Sequence, residues 1–187
     1  MHGWWAVSYV VLWVLVIGLA LLALALARQV GTLHLRLGPR GALEVDQEGP
    51  PLGEAPEPLD LSDMDGRPVS IGGPGASQLV LFVSPDCPVC RDVLPSLGAA
   101  ARAGGLSPVV VADLEPGDDH ELLDRVRAPV APAPFALERY GVPGTPFAVV
   151  FDGMGVVRAK GTVNNLEQLE GLVDTARRRE REKAVTN

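Results

Sequence analysis

The sequence predicts an α/β fold, a mixed central sheet with helices on both faces, preceded by one N-terminal transmembrane helix. Three observations support this prediction. Trp4–Ala27 is a long apolar stretch without a charged side chain. The chain that follows alternates apolar runs of strand and helix periodicity. Its only two cysteines, Cys87 and Cys90, stand directly after one of the apolar runs. A βαβ unit followed by a hairpin places parallel and antiparallel pairs in one sheet.

The N-terminal apolar stretch is interpreted as a retained anchor. Trp4–Ala27 is long enough to cross a hydrocarbon core of about 30 Å as a helix. Two alternatives remain, a buried core helix and a cleaved signal peptide. Ala25-Leu26-Ala27 fits a cleavage site, but the start is not basic and the apolar part exceeds the roughly 7–15 residues of a signal core. The predicted parts of the chain are 1–3, a short tail; 4–27, the transmembrane anchor; 28–58, a juxtamembrane segment ending in the Pro- and Gly-rich tether Glu44–Pro58; 59–179, the folded domain; and 180–187, a charged tail.

The elements of the folded domain follow from periodicity and from turn-forming residues. Gln78–Ser84 is a continuous apolar run, typical of a buried strand. Cys90, Val93, Leu94 and Leu97 then share one face of a helix. The remaining predictions, in chain order, are a short strand at Pro68–Ile71, a buried strand at Pro108–Ala112, a helix over Asp118–Arg127, a helical stretch at Phe135–Tyr140, a hairpin of Phe147–Phe151 and Val156–Lys160, and a helix over Asn165–Arg179 with Leu166, Leu169, Leu172 and Val173 on its inner face.

Charge is divided unevenly along the chain. All 23 acidic side chains follow residue 40, whereas Arg28, Arg36 and Arg40 flank the apolar stretch, and the formal net charge is −7. An acidic domain argues against nucleic-acid binding, which needs a basic face. Taken alone, the positive-inside rule would place the domain in the cytoplasm, because these three arginines follow the apolar stretch. Two arguments oppose this placement. Large domains translocate largely regardless of such charges, and disulfide exchange with exported proteins takes place outside the cytoplasm. We therefore expect the domain on the extracytoplasmic, periplasmic side.

The Cys87-Pro88-Val89-Cys90 motif indicates thiol–disulfide chemistry. A C-x-x-C pair beside a βαβ pattern is typical of redox sites. Cys87 stands where a helix begins, and free N–H groups at that end favour a thiolate. Cys90, nearly one turn later, is expected to resolve the mixed disulfide that Cys87 forms. Pro88 suits the first helical position, and Val89 completes the motif. The alternative interpretation is a pair of packed structural thiols.

Metal or nucleotide chemistry is not indicated. Two cysteines and three histidines fall short of the four ligands of a structural zinc site. The acidic cluster Asp113–Glu121 is interpreted as a solvated surface. We expect no metal and no cofactor beyond the redox-active disulfide Cys87–Cys90.

Beyond this chemistry, the chain resembles the thioredoxin superfamily. The residues that carry the resemblance are the strand Gln78–Ser84, the CPVC motif, Pro95 within the following helix, and Thr145-Pro146 before a strand. The resemblance implies a thioredoxin-like fold in which Pro146 follows a cis peptide bond and faces the redox pair. It also implies that Thr145 lends backbone hydrogen bonds to a bound substrate.

A narrower resemblance lies in Ala25–His34, in Gly38–Leu43 and in Ser84–Cys90. These segments are similar to the MauD family of methylamine utilisation proteins. The resemblance implies a membrane-anchored oxidoreductase that forms or isomerises disulfides in an exported client, the methylamine dehydrogenase small subunit. A second, unidentified redox partner is expected to reset the cysteine pair.

Two departures from the thioredoxin pattern bear on the chemistry. Asp86 stands where many thioredoxins carry Trp, and its charge opposes a Cys87 thiolate, so the direction of the pKa shift is open. Leu81 replaces a buried acid of reducing thioredoxins, which favours oxidation or isomerisation. Alternative functions are a peroxiredoxin-like peroxidase and a non-enzymatic, membrane-tethered scaffold or chaperone. Val80 and Ser84 stand where the peroxidase pattern needs Pro and Thr.

Overall fold

The computed structural model describes residues 3–36, 48–118, 120–123 and 126–186. The chain separates into two units, Met1–Pro39 and Arg40–Asn187. The elements in chain order are α1 (Gly3–Arg36), β1 (Leu59–Ser62), β2 (Pro68–Ile71), β3 (Gln78–Val83), α2 (Pro88–Gly104), β4 (Ser107–Ala112), β5 (Val130–Pro132), α3 (Pro134–Arg139), β6 (Phe147–Phe151), β7 (Val157–Thr162) and α4 (Leu166–Thr186).

The first unit consists of helix α1. Gly3–Leu22 is long and apolar enough to cross a membrane, by length and composition. Its apolar side chains are exposed around the helix, and the rings of Tyr9 and Trp13 meet edge to face with centroids 6.3 Å apart. The apolar N-terminal helix is therefore confirmed. It continues to Arg36, beyond the expected end of the anchor at Ala27.

The second unit is built on a five-stranded mixed sheet with the order β5-β4-β3-β6-β7. Strand β3 lies at its centre, parallel to β4 and antiparallel to β6. Every residue of β3 from Leu79 to Val83 is buried, because both faces of a central strand are covered. Strands β1 and β2 form a separate antiparallel pair. The predicted mixed sheet is confirmed.

Side chains of β3 alternate between two hydrophobic cores, one on each face of the sheet. Leu79, Leu81 and Val83 pack with helices α2 and α4. Val80 and Phe82 face the opposite core, which holds Ala136 of α3. Helices therefore lie on both faces, as predicted. In α4, Leu169, Leu172 and Val173 are buried as expected, whereas Leu166 is 37% exposed because it stands in the first turn.

The prediction of a helix over Asp118–Arg127 is wrong. The described residues of this stretch form turns, with the amides of Leu123 and Val126 donating to the carbonyls of His120 and Leu123. Leu123 is buried in the core shared with α2. A segment this short is a marginal helix on its own, so packing decides its conformation. The turns lead into strand β5, which the sequence analysis did not predict.

The predicted tether Glu44–Pro58 differs from the structure over its described part. Gly49 donates to the carbonyl of Gly141, and Gly53 donates to that of Val157, both at 2.9 Å. Val157 in turn donates to Glu54. Strand β7 is at the sheet edge, and its backbone groups require partners there. Residues 48–58 thus pack on the domain, whereas Glu44–Gln47 lie outside the described residues. At the other end, α4 extends through the expected charged tail as far as Thr186.

Two loops touch through glycines. Gly155, in the β6–β7 turn, has φ +76°, and a Cβ there would lie 2.4 Å from the backbone nitrogen of Gly73. Backbone-to-backbone contact at this distance leaves no space for a side chain. The hairpin and the loop after β2 can meet only because residue 155 is glycine.

We expect Gly155→Ala to reduce the free energy of unfolding by about 2–4 kcal/mol, since left-handed backbone and overpacking each cost roughly 1–2 kcal/mol. Gly66→Ala is the matched control, because Gly66 has φ +78° but open space around it. That variant should lose only the backbone part, about 1–2 kcal/mol. Urea unfolding should be followed by far-UV circular dichroism, since all three tryptophans lie in α1. Equal losses in both variants would contradict the steric argument.

Candidate active site: a cysteine pair at the start of helix α2

Cys87 lies at the junction between strand β3 and helix α2. The strand ends at Val83, and the Cys87 amide donates to the carbonyl of Ser84 at 3.1 Å. Cys87 itself is the N-cap of α2, with extended backbone angles of φ −83° and ψ 113°. Pro88 occupies the first turn, where the missing N–H of proline costs no helical hydrogen bond. The sequence thus positions the first cysteine where the helix amides are unpaired.

The Cys87 sulfur contacts backbone groups of Cys90 and Thr145. It accepts a hydrogen bond from the Cys90 amide at 3.3 Å, and it lies 3.6 Å from the carbonyl oxygen of Thr145, to which the thiol can donate. Both cysteines are free thiols, so the structure describes the dithiol state. Cys87 is partly exposed, whereas Cys90 is fully buried. Only Cys87 is therefore accessible to an incoming disulfide.

The two thiols are shifted in opposite directions. Burial raises the pKa of Cys87, but hydrogen bonds from the Cys90 thiol and amide, together with contacts at Thr145 and Val89, outweigh burial and hold that pKa below its ordinary value. Burial, followed by hydrogen bonding to Cys87, raises the pKa of Cys90 to about 12. The pair thus consists of one thiol that ionises more readily than usual and one that stays protonated near neutral pH.

The Thr145–Pro146 peptide bond is cis, as the thioredoxin resemblance implies. It directly precedes β6, whose first residue Phe147 pairs with Phe82 of β3. This antiparallel register brings Thr145 close to the C-terminal end of β3, where α2 begins. Pro146 is buried, and its carbonyl accepts from the amide of Val163. The structure thus brings Thr145 and the cysteine pair together at one edge of the sheet.

The motif residues between the cysteines face outwards. Pro88 is exposed, and Val89 is 37% exposed, so both are accessible beside the Cys87 sulfur. Asp86 is also exposed, where water screens its charge, and the pKa of Cys87 is lowered despite this neighbour. The pKa of Cys87, whose direction of shift the sequence left open, is therefore lowered.

Leu81 belongs to the same hydrophobic core as Cys90. Among the described residues, the buried charged side chains are Asp152 and Lys160. Asp152 lies in the β6–β7 turn, held by the amides of Met154 and Val156. Lys160 pairs in register with Val149, which belongs to the core on the opposite face from Cys90. Within the described part of the chain, no buried acid adjoins the cysteine pair.

A metal site needs a cluster of side chains that can act as ligands. Within the described ranges, no group of three or more His, Cys, Asp or Glu side chains could hold a metal ion. Asp119 of the acidic cluster lies outside those ranges. The contact that sequence reasoning missed is the Ser84 carbonyl, which fixes the Cys87 amide. Its only sequence signal is its position between the last strand residue and the motif.

Comparison with known proteins places these features in context. No protein-family model matches the chain. The chain is 38% identical to the methylamine utilization protein MauD of Paracoccus denitrificans over 179 residues, which cover 91% of this chain and 88% of that protein. It is 40% identical to the protein of the same name from Methylorubrum extorquens over 176 residues, covering 89% and 84%.

Solved structures share the fold. A secreted Mycobacterium tuberculosis disulfide oxidoreductase, homologous to DsbE of E. coli, is 22% identical with a TM-score of 0.50 and covers 62% of this chain and 94% of its own. A peroxiredoxin-like protein from Aquifex aeolicus is 19% identical with a TM-score of 0.56 and covers 74% and 92%. At such identities the likeness shows the fold alone, a thioredoxin-like one.

The hydrogen bond from the Cys90 thiol is testable through the pH dependence of alkylation. In wild-type protein we expect iodoacetamide to modify Cys87 with a midpoint below that of an ordinary thiol, while Cys90 stays unmodified near neutral pH. Cys90→Ala removes a donor that stabilises the thiolate, so the midpoint should rise by about one pH unit, roughly 1.4 kcal/mol. At pH 7 less thiolate is then present, and alkylation slows.

Cys90→Ser is the matched control, because its hydroxyl can still donate to Cys87. Peptide mass spectrometry gives the rate at each pH. A midpoint that moves equally in both variants would show that the side-chain donor has no separate effect.

Proposed function

Because this chain belongs to the MauD family of methylamine utilisation proteins, we propose that it is a thiol–disulfide oxidoreductase acting in methylamine utilisation. The observation that carries this proposal is the division of labour in the cysteine pair. Cys87 is accessible and has a lowered pKa, and its sulfur accepts a hydrogen bond from the Cys90 amide at 3.3 Å. The Cys90 thiol is buried and stays protonated. Such a pair suits a nucleophile and a resolving thiol.

The proposed reaction begins at Cys87. Its thiolate attacks one sulfur of a client disulfide; the client S–S bond breaks, a Cys87–client disulfide forms, and the second client sulfur leaves as a thiolate. Cys90 then loses its proton to that thiolate or to solvent and attacks the Cys87 sulfur; the Cys87–client S–S bond breaks, and the first client sulfur leaves as a thiolate that takes up a proton. The products are the Cys87–Cys90 disulfide and a client dithiol. The same steps in reverse oxidise a client dithiol, with two electrons passing to the cysteine pair.

Isomerisation uses only the first half of this sequence. If another client thiol attacks the mixed disulfide before Cys90 does, the client disulfide is rearranged and Cys87 is released unchanged. The high pKa of Cys90 slows the competing resolution step. Once Cys87 is in a mixed disulfide, its charge no longer raises the pKa of Cys90, although burial still does. We propose that this chain forms or isomerises disulfides rather than acting chiefly as a reductant.

Substrate contact is assigned to the surface around Cys87. The Thr145 carbonyl oxygen lies 3.6 Å from the Cys87 sulfur, and Pro146 follows Thr145 in the chain. Pro88 and Val89 directly follow Cys87 and are exposed. An extended client segment can pair with backbone groups of Thr145 while its disulfide reaches Cys87. The family name supports a role in methylamine utilisation. We propose that the client is the small subunit of methylamine dehydrogenase, as the resemblance described from the sequence implies. A separate redox partner would restore the cysteine pair after each turnover.

The N-terminal unit is proposed to anchor the protein in the membrane. Gly3–Leu22 meets the length and composition of a span and overlaps the 4–27 stretch assigned from the sequence. Aromatic side chains at Trp4, Trp5 and Tyr9 suit a membrane interface. We place the domain outside the cytoplasm, where disulfide-bonded clients occur.

Trapping experiments test the roles of the two cysteines. In Cys90→Ser, Cys87 can attack but nothing releases its partner, so mixed disulfides should accumulate at least tenfold over wild type on non-reducing gels. Cys87→Ser should trap little, because the remaining thiol is buried and has a pKa of about 12. The double substitution is the background control. Trapping by Cys87→Ser alone would reverse the assignment, and rapid peroxide consumption without client trapping would favour a peroxidase.

Reporter fusions test the placement of the domain. Alkaline phosphatase fused after Asn187 should be active in cells, whereas a cytoplasm-only reporter at the same position should be inactive.

Fractionation and N-terminal sequencing test whether the anchor is retained. The N-terminus of the mature protein should precede Trp4, and the protein should sediment with membranes. Soluble protein that begins at Arg28 would show a cleaved signal peptide instead. Activity of the cytoplasmic reporter alone would overturn the placement.

A further inference from the structure

A groove of about 720 Å³ runs along helix α2, and its first lining residue, Arg91, stands one position after Cys90. One wall is a stripe of α2 residues at helical spacing, namely Arg91, Leu94, Gly98 and Arg102. The other wall is formed by His120–Leu122 and Val126–Ala128. Arg91 directly follows Cys90, and the rise of about 1.5 Å per residue gives the stripe a length of roughly 16 Å. The groove is thus elongated, and its lining begins in the same first turns of α2 that carry Cys90.

The groove combines an apolar floor with a basic rim. Leu94 and Leu97 are buried along its base, while Arg91, Arg102 and Arg127 are exposed at its edges. Gly98 keeps the α2 wall low: the Arg102 guanidinium lies 3.4 Å from where a Cβ on Gly98 would stand. Among the described lining residues, the acidic side chain is Glu121.

These arginines differ from others in the same unit. Arg67, Arg139 and Arg158 are each paired with a carboxylate, of Asp65, Glu57 and Asp152 respectively. Within the described residues, the three arginines of the groove form no ion pair. They leave exposed positive charge along one groove of a chain whose formal net charge is −7. Such a local reversal of sign attracts acidic partners and orients them.

We propose that this groove docks an acidic, partly apolar segment of the protein client whose disulfide reacts at Cys87. The inference rests on the proposed function and adds the determinant of client choice. A length of roughly 16 Å accommodates about five residues of extended chain. The apolar floor can contact apolar side chains that stand between the acidic residues of the client segment. The concave shape of the groove suits a peptide segment better than a flat lipid surface. A client segment that flanks the reacting cysteine can reach the groove from the Cys87 end of α2.

The first experiment measures docking without redox chemistry. The probe is a fluorescein-labelled, cysteine-free peptide of Glu, Ala and Val, and its counterpart has Gln in place of every Glu. The full chain in neutral detergent should bind the Glu peptide more tightly than the Gln peptide, by fluorescence anisotropy. Arg102→Gln with Arg127→Gln should raise the Kd for the Glu peptide roughly fivefold, since each exposed charge pair contributes modestly.

The matched control is Arg178→Gln with Arg181→Gln, which removes the same charge from the exposed face of α4. The control should change the Kd less than twofold, and added salt should abolish the difference between the two double variants. Equal losses in both would show a general charge effect and overturn the proposal. Binding of phosphatidylglycerol that depends on Arg102 and Arg127, with no such dependence for the Glu peptide, would reassign the groove to lipid and equally overturn it.

The second experiment separates docking from catalysis. Wild type and Arg102→Gln with Arg127→Gln should reduce bis(2-hydroxyethyl) disulfide at the same rate, because this neutral probe does not need the groove. A peptide disulfide flanked by Glu should react several-fold more slowly with the double variant. Equal rates with the Glu-flanked peptide would contradict the proposal. If neither the wild type nor the double variant reacts with the neutral disulfide, the proposed function is contradicted. The anisotropy result would still show whether the groove binds an acidic peptide.

Discussion

The chemistry of this domain depends on one junction, where the central strand β3 passes into helix α2 through Cys87. Burial on both faces fixes the strand in the middle of the sheet, so the start of the helix has little freedom of position. Neighbouring strands then supply the remaining contacts. Strand β6 brings the Thr145 carbonyl to within 3.6 Å of the sulfur, and the first turn of α2 brings the Cys90 amide to 3.3 Å. The Cys87 sulfur therefore lies between the carbonyl before β6 and an amide of α2, two groups whose positions both follow from β3.

Burial explains why two identical side chains take different roles. Burial destabilises the thiolate form of both cysteines and so raises their pKa values. Whether the pKa of each finally rises or falls depends on how many hydrogen-bond donors stabilise its thiolate. Cys87 receives several hydrogen bonds at a helix end, so its pKa falls, whereas Cys90 points into the core with Val93, Leu94 and Leu97, and its pKa rises to about 12. The same three-residue spacing that allows a disulfide to close thus places one sulfur at the surface and the other inside the protein.

The sequence predicted those parts of the structure that local patterns determine. The continuous apolar run of β3, the amphipathic face of α2 and the Asp152–Gly155 turn each carry their own signal, and the cysteine spacing located the redox pair. The failures depend on partners distant in the chain. Turns replace the helix predicted over Asp118–Arg127 because Leu123 packs into the core, and residues 48–58 lie on the domain because the edge strand at Val157 needs hydrogen-bond partners. The direction of the Cys87 shift likewise required distances, since opposing contributions of similar size cannot be ranked from residue types alone.

The surroundings of Cys90 bear on the resolution step of the proposed reaction. Resolution of a mixed disulfide requires that Cys90 lose a proton, and a buried acid beside it would be a natural acceptor. Leu81 fills the core at the position where reducing thioredoxins carry that acid, and the buried charged side chains of the described chain, Asp152 and Lys160, lie at the hairpin turn and on the other face of the sheet. Proton loss must then follow the leaving client thiolate or water entering beside Cys87. In the proposed reaction, either route makes resolution slow, so the mixed disulfide lasts longer. Another client thiol then has more time to rearrange the client's disulfides before the client is released as a dithiol.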